Sequence, residues 1–187
     1  TLGHPAGDAL LKQVSKRLLG IVGSAGQAGR QGGDEFTVLF PGIYDRERLS
    51  SIAEKVISSI SRPYMIDDVQ VTIGVSIGIA IAPEHGITSE SLIRNADLAL
   101  YAAKEAGRGV HSFYDKSMHA DAEDRRNLEM DLRKALAENQ LHLVYQPQVS
   151  TVDEEISGYE ALVRWEHPVR GSISPATFIP IAEEAGL

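Results

Sequence analysis

Gly32-Gly33-Asp34-Glu35-Phe36 is the stretch from which the rest of the chain can be interpreted. It leads into an apolar run, residues 36–40, that predicts a strand ended by Pro41-Gly42. Two glycines permit a sharp turn and remove side chains that would block a phosphate. Two acidic residues place hard oxygen ligands where Mg²⁺ can bind, so the loop can hold a metal-bound triphosphate for phosphoryl transfer. The same tetrapeptide is also a good solvated hairpin turn.

Three helices are predicted around this strand. Helical spacing over residues 6–22 defines an apolar face of Leu10, Leu11, Val14, Leu18 and Leu19. Small residues at 23–29 predict a flexible stretch, and a second helix follows at 46–61. The third helix begins with Thr88 or Ser89 as its cap, and Gly107 closes it.

Residues 69–81 alternate between branched apolar side chains and small or polar ones. Period two over thirteen residues predicts one long strand, ended by Pro83. Glycines on its second face would let a helix approach closely.

The C-terminal third changes in pattern. A polar helix is predicted over about 121–139, with a thin apolar seam at Leu128, Leu132, Ala135 and Leu136. It is either a linker that bridges two units and does not fill a core or an ordinary surface helix, and its polarity favours the linker. Strands are predicted around 141–145 and 159–163, and Ser174-Pro175 opens a last helix.

Composition narrows the function. The 187 residues are 43% apolar and 24% charged, with a net charge of −8 and no cysteine. No Lys/Arg cluster is present, so we expect no nucleic-acid partner. Disulfides, zinc-thiolate sites and thiol nucleophiles are excluded.

No apolar run reaches membrane-spanning length, and we expect a cytoplasmic protein. The chain starts without methionine and stops inside a predicted helix, so we expect that both ends are cut.

The chain resembles the GGDEF family of diguanylate cyclases over about residues 1–115. The resemblance is carried by the Gly32–Phe36 motif with Arg30 before it, and by four further segments. These are Thr1-Leu2-Gly3-His4 with Gly7-Asp8, Leu10-Leu11, residues 75–80, and residues 97–108. It implies an α/β (α+β) fold with a mainly antiparallel central sheet flanked by helices. It also implies Mg²⁺ (or Mn²⁺) as cofactor, GTP as substrate, cyclic di-GMP as product and a homodimer as the active form.

The resemblance also implies roles for single residues. Asp34 would bind the metal, and Glu35 would support the metal or the reacting hydroxyl. Gly32 and Gly33 would let the nucleotide pass closely. Asp8 would bind guanine, or it is simply an acid in a first helical turn. Lys104 and Arg108, four residues apart, would hold the terminal phosphates, or they are cations favoured by a helix end.

Two departures from the family pattern are visible. The family's first strand, with a further metal-binding Asp, and a guanine-reading Asn would precede Thr1 and are not in this chain. Many members also carry an Arg-x-x-Asp pair that binds product. Gly23 and Gly26 stand at those positions, so we expect this inhibitory site to be missing.

Residues 141–187 resemble the start of an EAL phosphodiesterase domain, a β/α (TIM-type) barrel. The motifs are Tyr145-Gln146-Pro147 and the run from Gly158 to Trp165. Glu160 and Arg164 share one face of a strand, which alone would favour an ion pair. The resemblance implies Glu160 as a metal ligand, with Gln146 and Arg164 as contacts to cyclic di-GMP. The remaining ligands would lie beyond Leu187, so we expect this fragment to be inactive.

The predicted organisation is a GGDEF domain at 1–117, a linker helix at 118–140 and the beginning of an EAL domain at 141–187. Three functions remain open: a diguanylate cyclase, a silent GTP-binding module that regulates a downstream phosphodiesterase, and a structural dimerisation domain.

Overall fold

The computed structural model describes residues 3–187. Thr1 and Leu2, which the resemblance includes, lie outside the described residues. The chain divides into two compact units, Thr1–Met118 and His119–Leu187. Both combine helices with antiparallel strands, so the expectation of a mixed α/β fold is confirmed. The expected central sheet is not continuous, because the strands described between residues 3 and 118 form three separate two-stranded pairs.

The first unit alternates helices with short paired strands. Its elements are α1 (Gly3–Val22), a 3₁₀ helix (Gly23–Ala25), β1 (Gln27–Gly32), β2 (Glu35–Leu39), α2 (Arg46–Ile60), β3 (Tyr64–Ile66), β4 (Val69–Val71), β5 (Ile77–Ile79), α3 (Ser89–Glu105) and β6 (His111–Phe113). The β1–β2 and β3–β4 pairs are antiparallel hairpins, whereas β5 pairs with β6 in parallel.

Local signals start the two later helices of this unit. The Asp45 carboxylate accepts a 2.7 Å hydrogen bond from the Arg48 amide at the start of α2. At the start of α3, Thr88 and Ser91 exchange bonds in a capping box, which satisfies two amides that the helix leaves unpaired. The prediction of a cap at Thr88 is confirmed, and α3 ends at Glu105 before Gly107, whose φ is +108°.

One hydrophobic core lies between α1, α2 and the strands of the first unit. Its buried members are Ala6, Val14, Leu18, Val22, Val56, Ile60, Tyr64 and Ile66. The predicted face of α1 is correct at Val14 and Leu18, but Leu19 is 52% exposed. The buried stripe of α1 therefore runs through Ala6 and Val22, and Leu19 lies beside it.

The single long strand predicted over residues 69–81 is wrong. The structure has β4 and β5 there, separated by a segment without ladder hydrogen bonds in the described chain. Alternation reports which side chains are buried, and Ile73 and Val75 do pack against the core. It does not report whether a neighbouring strand is present to pair with the backbone.

The close approach of a helix to a glycine is confirmed at Gly78 in β5. A Cβ built on Gly78 would lie 2.0 Å from the Ala96 carbonyl oxygen and 2.2 Å from the Leu100 amide nitrogen of α3. Helix α3 therefore packs directly on the backbone of β5, which no residue with a side chain permits.

The flexible stretch predicted at residues 23–29 is also wrong. Gly23–Ala25 is a 3₁₀ helix, and Gln27 begins β1. Gly29 pairs with Thr37, and Ala28 with Val38. Small residues suggested a loop because their local preference is weak, but pairing with β2 orders them.

The second unit is an open three-stranded antiparallel sheet with two helices. Its elements are α4 (Ser117–Ala137), β7 (Leu141–Val149), β8 (Ile156–His167), β9 (Gly171–Ile173) and α5 (Pro175–Ala185). The predicted opening of α5 is confirmed, because the Ser174 hydroxyl caps it and Pro175 occupies its first turn.

The prediction that the polar helix does not fill a core is wrong, and the helix begins at Ser117 instead of about residue 121. Leu128, Leu132 and Ala135 of α4 are buried against Trp165, and Phe178 and Ile181 complete the cluster. A narrow seam was sufficient because large side chains from β8 and α5 fill the space opposite it. Leu136, a predicted member of the seam, is 54% exposed.

None of the helices between Gly3 and Leu187 combines the length and the apolar character needed to span a bilayer.

Candidate functional site

The Gly33–Asp34 turn joins β1 and β2 as a two-residue hairpin loop. Gly32 pairs with Glu35 at the end of the ladder, and Gly33 has φ +52°. A positive φ at the first central residue is a geometry that glycine adopts without steric cost. A Cβ at Gly32 or at Gly33 would meet no atom within 4 Å, so the space beside the turn is open. Gly33 is therefore needed for backbone shape, and both glycines leave room for a ligand.

Arg30 fixes the shape of the turn. Its Nε and Nη2 atoms both donate to the Gly33 carbonyl oxygen, at 2.8 and 2.6 Å. The guanidinium thus grips the chain just before Asp34, and charge-assisted bonds of this kind are stronger than neutral ones. The sequence identifies Arg30 as part of the motif, but only the structure shows that its guanidinium binds the Gly33 carbonyl oxygen.

The hairpin is anchored by one face only. Ala28, Phe36 and Val38 pack against the core between α1 and α2. The opposite face is exposed, and there the Gln31 amide donates to the Thr37 hydroxyl across the two strands. Asp34 and Glu35 are exposed at the tip, so the hairpin presents two carboxylates to solvent.

The residues assigned to GTP binding are distributed over other elements. Asp8 is an exposed residue of α1, next to Gly7, which lines an open and largely apolar depression of about 580 Å³ at the start of α1. Ile66 and Val71 line the same depression from the β3–β4 hairpin. No described contact joins Asp8 to the Gly33–Asp34 turn. The predicted role of Asp8 in binding guanine therefore stays a proposal.

Lys104 and Arg108 do not have the helical relation that the spacing suggested. Helix α3 ends at Glu105, and Arg108 lies beyond it with a left-handed φ of +61°. The Arg108 amide donates to the Ala103 carbonyl oxygen at 3.2 Å, and the Gly109 amide donates to Ser76 Oγ at 3.2 Å. Both cations are exposed at a closing turn that is fixed against the segment before β5.

The lowered pKa values of the first unit belong to helix starts. The pKa of the Asp115 carboxyl lies below its usual range, chiefly because the Ser117 amide donates to it at the start of α4. The pKa of Glu90 in the first turn of α3 is lowered by its own backbone amide and by the Thr88 side chain. Both are helix-capping effects, so neither perturbed carboxyl identifies a further site.

The two carboxylates of the turn can supply some, but not all, of the ligands that a hard divalent cation needs. Asp34 and Glu35 offer the oxygen ligands that Mg²⁺ and Mn²⁺ accept. Between residues 3 and 187 no group of three or more His, Asp or Glu side chains is arranged to hold a metal. The chain therefore supplies two carboxylates that fit a metal carried by a nucleotide, whose phosphate oxygens add ligands.

The second candidate site is built by strand register. Gln146 of β7 lies directly opposite Glu160 of β8, and His142 lies opposite Arg164. Opposed residues of an antiparallel pair project on the same face, so these four side chains share one face of the sheet. The predicted residues Gln146, Glu160 and Arg164 are thus brought together. His142 was not identified from the sequence, because only the register reveals it.

The chain matches two family models. Residues 1–110 match the model described as diguanylate cyclase, GGDEF domain, and residues 129–187 match that of the EAL domain. Because the first match covers more than half of the sequence, the chain belongs to the GGDEF family, and the start of an EAL domain follows.

Curated relatives align with nearly the whole chain. The chain is 45% identical over 186 residues to an uncharacterized signaling protein of Caulobacter vibrioides, covering 99% of the chain and 23% of that relative. It is 43% identical to the bifunctional diguanylate cyclase/cyclic di-GMP phosphodiesterase MucR of Pseudomonas aeruginosa, covering 99% and 27%. It is 40% identical to the cyclic di-GMP phosphodiesterase PdeR of Escherichia coli, covering 99% and 28%. The chain thus spans about a quarter of these curated relatives.

Solved structures match the GGDEF part. The GGDEF domain of YfiN (TpbB) from Pseudomonas aeruginosa is 32% identical, with a TM-score of 0.61 over 65% of this chain and 71% of that one. An EAL/GGDEF domain protein from M. capsulatus is 38% identical, with a TM-score of 0.58 over 62% and 74%.

Proposed function

We propose that this segment belongs to a cyclic-di-GMP signalling protein whose GGDEF domain condenses two GTP molecules into one cyclic di-GMP and two pyrophosphates. The proposed domains are the GGDEF domain at 1–117, the helix-containing connection at 118–140 and the start of a β/α-barrel EAL domain at 141–187. The observation that carries the cyclase proposal is the exposed Asp34–Glu35 pair on a two-residue turn with open space beside its glycines.

In this proposal Asp34 and Glu35 hold Mg²⁺ or Mn²⁺ bound to the triphosphate. The metal, when bound, neutralises charge that develops on the transferring phosphoryl group. Gly32 and Gly33 admit the phosphates close to the backbone, while Arg30 keeps the turn from rearranging. Holding the carboxylates on a hairpin anchored by Phe36 and Val38 limits the reorganisation needed on binding.

The remaining GTP contacts are proposed for Asp8 at the guanine and for Lys104 and Arg108 at the terminal phosphates. Two GGDEF domains, each with one GTP, would meet so that each 3′-hydroxyl attacks the α-phosphate of the other nucleotide. The product is symmetric and contains two such linkages, which is why we propose a homodimer as the active form.

Replacing Glu35 tests the cyclase proposal. In the full-length protein, Glu35→Gln removes one negative charge with almost no change in shape, and we expect GTP turnover to fall at least about 100-fold, as for lost electrostatic stabilisation of a transition state. Cyclic di-GMP formation with Mg²⁺ is the measurement. Asp68→Asn is the matched control, because Asp67 and Asp68 form the two-residue turn between β3 and β4. Unchanged turnover in Glu35→Gln would overturn the assignment.

A second function is supported by the relatives. PdeR and the cyclic di-GMP phosphodiesterase NbdA of Pseudomonas aeruginosa, at 40% and 35% identity over this same segment, are both named only as phosphodiesterases. We therefore propose as the alternative a silent GGDEF module that binds GTP and regulates a downstream EAL domain. In that domain Glu160 would bind the metal, and Gln146 and Arg164 would contact cyclic di-GMP. GTP-stimulated phosphodiesterase activity without cyclase activity would favour this alternative.

A further inference from the structure

The sheet face that carries Glu160 extends well beyond Glu160 itself. Strands β7 and β8 keep one uninterrupted register from Leu141–Trp165 to Gln148–Gly158, and the only shift lies between Gln148 and Val149. Because side chains alternate along each strand, the members of this face are fixed by the register. We call it the Glu160 face, and it consists of His142, Val144, Gln146, Gln148, Gly158, Glu160, Leu162 and Arg164.

Apart from Gln148, which lies opposite Gly158 at the far end of the strands, the polar groups on the Glu160 face fall into two clusters. Gln146 and Glu160 form the first, and His142 and Arg164 form the second, with Val144 opposite Leu162 between them. The two polar pairs are four residues apart along the strands, which is about 13 Å. A ligand that makes polar contacts with both clusters would rest on the apolar pair, Val144 and Leu162, between them.

His142 and Arg164 are close enough to act on one group. Directly opposed residues of an antiparallel pair have Cβ atoms about 5 Å apart. His142 is exposed, and Arg164 is half-buried, with Nη1 donating to its neighbour's carbonyl oxygen, Val163 O, at 2.9 Å. That bond uses one of the five N–H donors of the guanidinium and leaves four for other partners. The imidazole adds a donor and a flat ring beside them.

We propose that His142 is a further ligand-contacting residue of the EAL site. With Arg164, it donates a hydrogen bond to an acceptor atom of a bound cyclic dinucleotide. This inference rests on the proposed phosphodiesterase function. The acceptor is either a non-bridging oxygen of the phosphodiester that is not cleaved or the O6/N7 edge of guanine, which accepts hydrogen bonds from cationic side chains.

The separation of the two clusters defines what His142 does. A metal held at Glu160 would supply its charge to the phosphodiester that is cleaved, whereas His142 lies about 13 Å along the face from that position. A contact so far from the reacting atoms is made equally in the ground state and in the transition state. Its loss therefore raises KM and leaves kcat nearly unchanged.

The test uses the full-length protein and compares His142→Ala, His142→Gln and Gln148→Ala. Gln148 is a matched control, because it is polar, lies on the same strand and face, and is located on the other side of Gln146. We expect His142→Ala to raise KM for cyclic di-GMP about tenfold, as for one lost hydrogen bond to a charged or strongly polar group, with kcat within about twofold. His142→Gln keeps an N–H donor and should recover part of the affinity, whereas Gln148→Ala should change neither constant.

Binding of cyclic di-GMP and cyclic di-AMP to the same variants identifies the acceptor. If guanine is the acceptor, His142→Ala weakens cyclic di-GMP more than cyclic di-AMP, since adenine has an amino donor in place of O6. If phosphate is the acceptor, both ligands weaken by the same factor. An unchanged KM in His142→Ala, or an equal rise in Gln148→Ala, overturns the inference. A wild-type protein that neither binds nor cleaves cyclic di-GMP overturns the phosphodiesterase proposal itself, and with it this inference.

Discussion

The two candidate acidic sites of the chain are built in opposite ways. Asp34 and Glu35 lie on a two-residue turn that local contacts hold, with Arg30 bound to the Gly33 carbonyl three residues away. Glu160 lies in the middle of β8, and the residue opposite it, Gln146 of β7, is fourteen residues earlier in the sequence. The first site therefore depends on local backbone conformation and the second on long-range pairing.

This difference predicts where each site is vulnerable. A local turn is damaged by a change in the turn itself, and little else in the unit is affected. The Gln146–Glu160 site depends on the register between β7 and β8, because a one-residue slip would turn every side chain of one strand to the other face. It therefore depends on the packing that holds the sheet against its helices. In the second unit that support is the core of α4, β8 and α5 around Trp165.

Removing Trp165 should have the largest effect. Its side chain is fully buried, its ring meets Phe178 edge-to-face at 5.5 Å, and Nε1 donates to Gln140 Oε1 at 3.2 Å. We expect Trp165→Ala in the 187-residue chain to lower the free energy of unfolding of the second unit by about 3–5 kcal/mol. Amide hydrogen exchange in α4 and β8, measured by mass spectrometry, would show the loss of protection.

The control for this experiment is Tyr159→Ala. Tyr159 lies on the same strand and the same face as Trp165 but is 61% exposed. Its loss should cost less than about 1 kcal/mol, because little apolar area returns to water. If the two substitutions had equal effects, the core around Trp165 would not be what orders β8.

The sequence was most informative where structure is local. The turn at Gly33, the cap at Thr88 and the Ser174-Pro175 helix start all follow from short motifs, and each is found as predicted. Both acidic motifs were likewise recognisable from a few residues each. These features share a cause, since neighbouring residues alone determine them.

The errors arose where distant parts of the chain decide. Gly29 is ordered by pairing with Thr37, and the polar helix α4 is buried by Trp165 and Phe178 from later elements. The division of residues 69–81 into β4 and β5 depends on which strands pair with them. His142 belongs to the same group, because its position opposite Arg164 follows from a register that no single strand encodes.

Substituting Gly33 should have an intermediate and local effect. Gly33→Ala forces an alanine into the left-handed region at φ +52°, at a cost of about 1–2 kcal/mol to the first unit. Gly32→Ala is the matched control, because Gly32 has no positive φ and both positions have open space for a Cβ. We expect only Gly33→Ala to lower the denaturation midpoint of the first unit, with the second unit unchanged. Equal effects from both would show that the conformation of the turn is not what requires glycine.

The smallest expected effect concerns an exposed pair that links α4 to the β8–β9 turn. Arg170 donates to Asp124 at 3.0 Å, and this hydrogen bond is the main reason why the pKa of Asp124 is lowered and that of Arg170 is raised. A carboxyl with a depressed folded-state pKa stabilises the fold above its unfolded pKa, near 3.8, and loses that contribution as the pH falls through the folded value. Because the pair is exposed, its contribution should be about 0.5 kcal/mol or less and should shrink in 1 M salt.

The stability difference between wild type and Asp124→Asn should therefore be present at pH 6 and disappear towards pH 2. Asp121→Asn, on the same helix, is the control for a general change in net charge. Urea unfolding at both pH values measures the difference. A difference that persisted unchanged at low pH would mean that Asp124 acts through packing and not through its charge. This exposed pair adds little to the buried core that Trp165 forms with α4 and α5, so breaking it should leave the Gln146–Glu160 register intact, whereas Trp165→Ala should not.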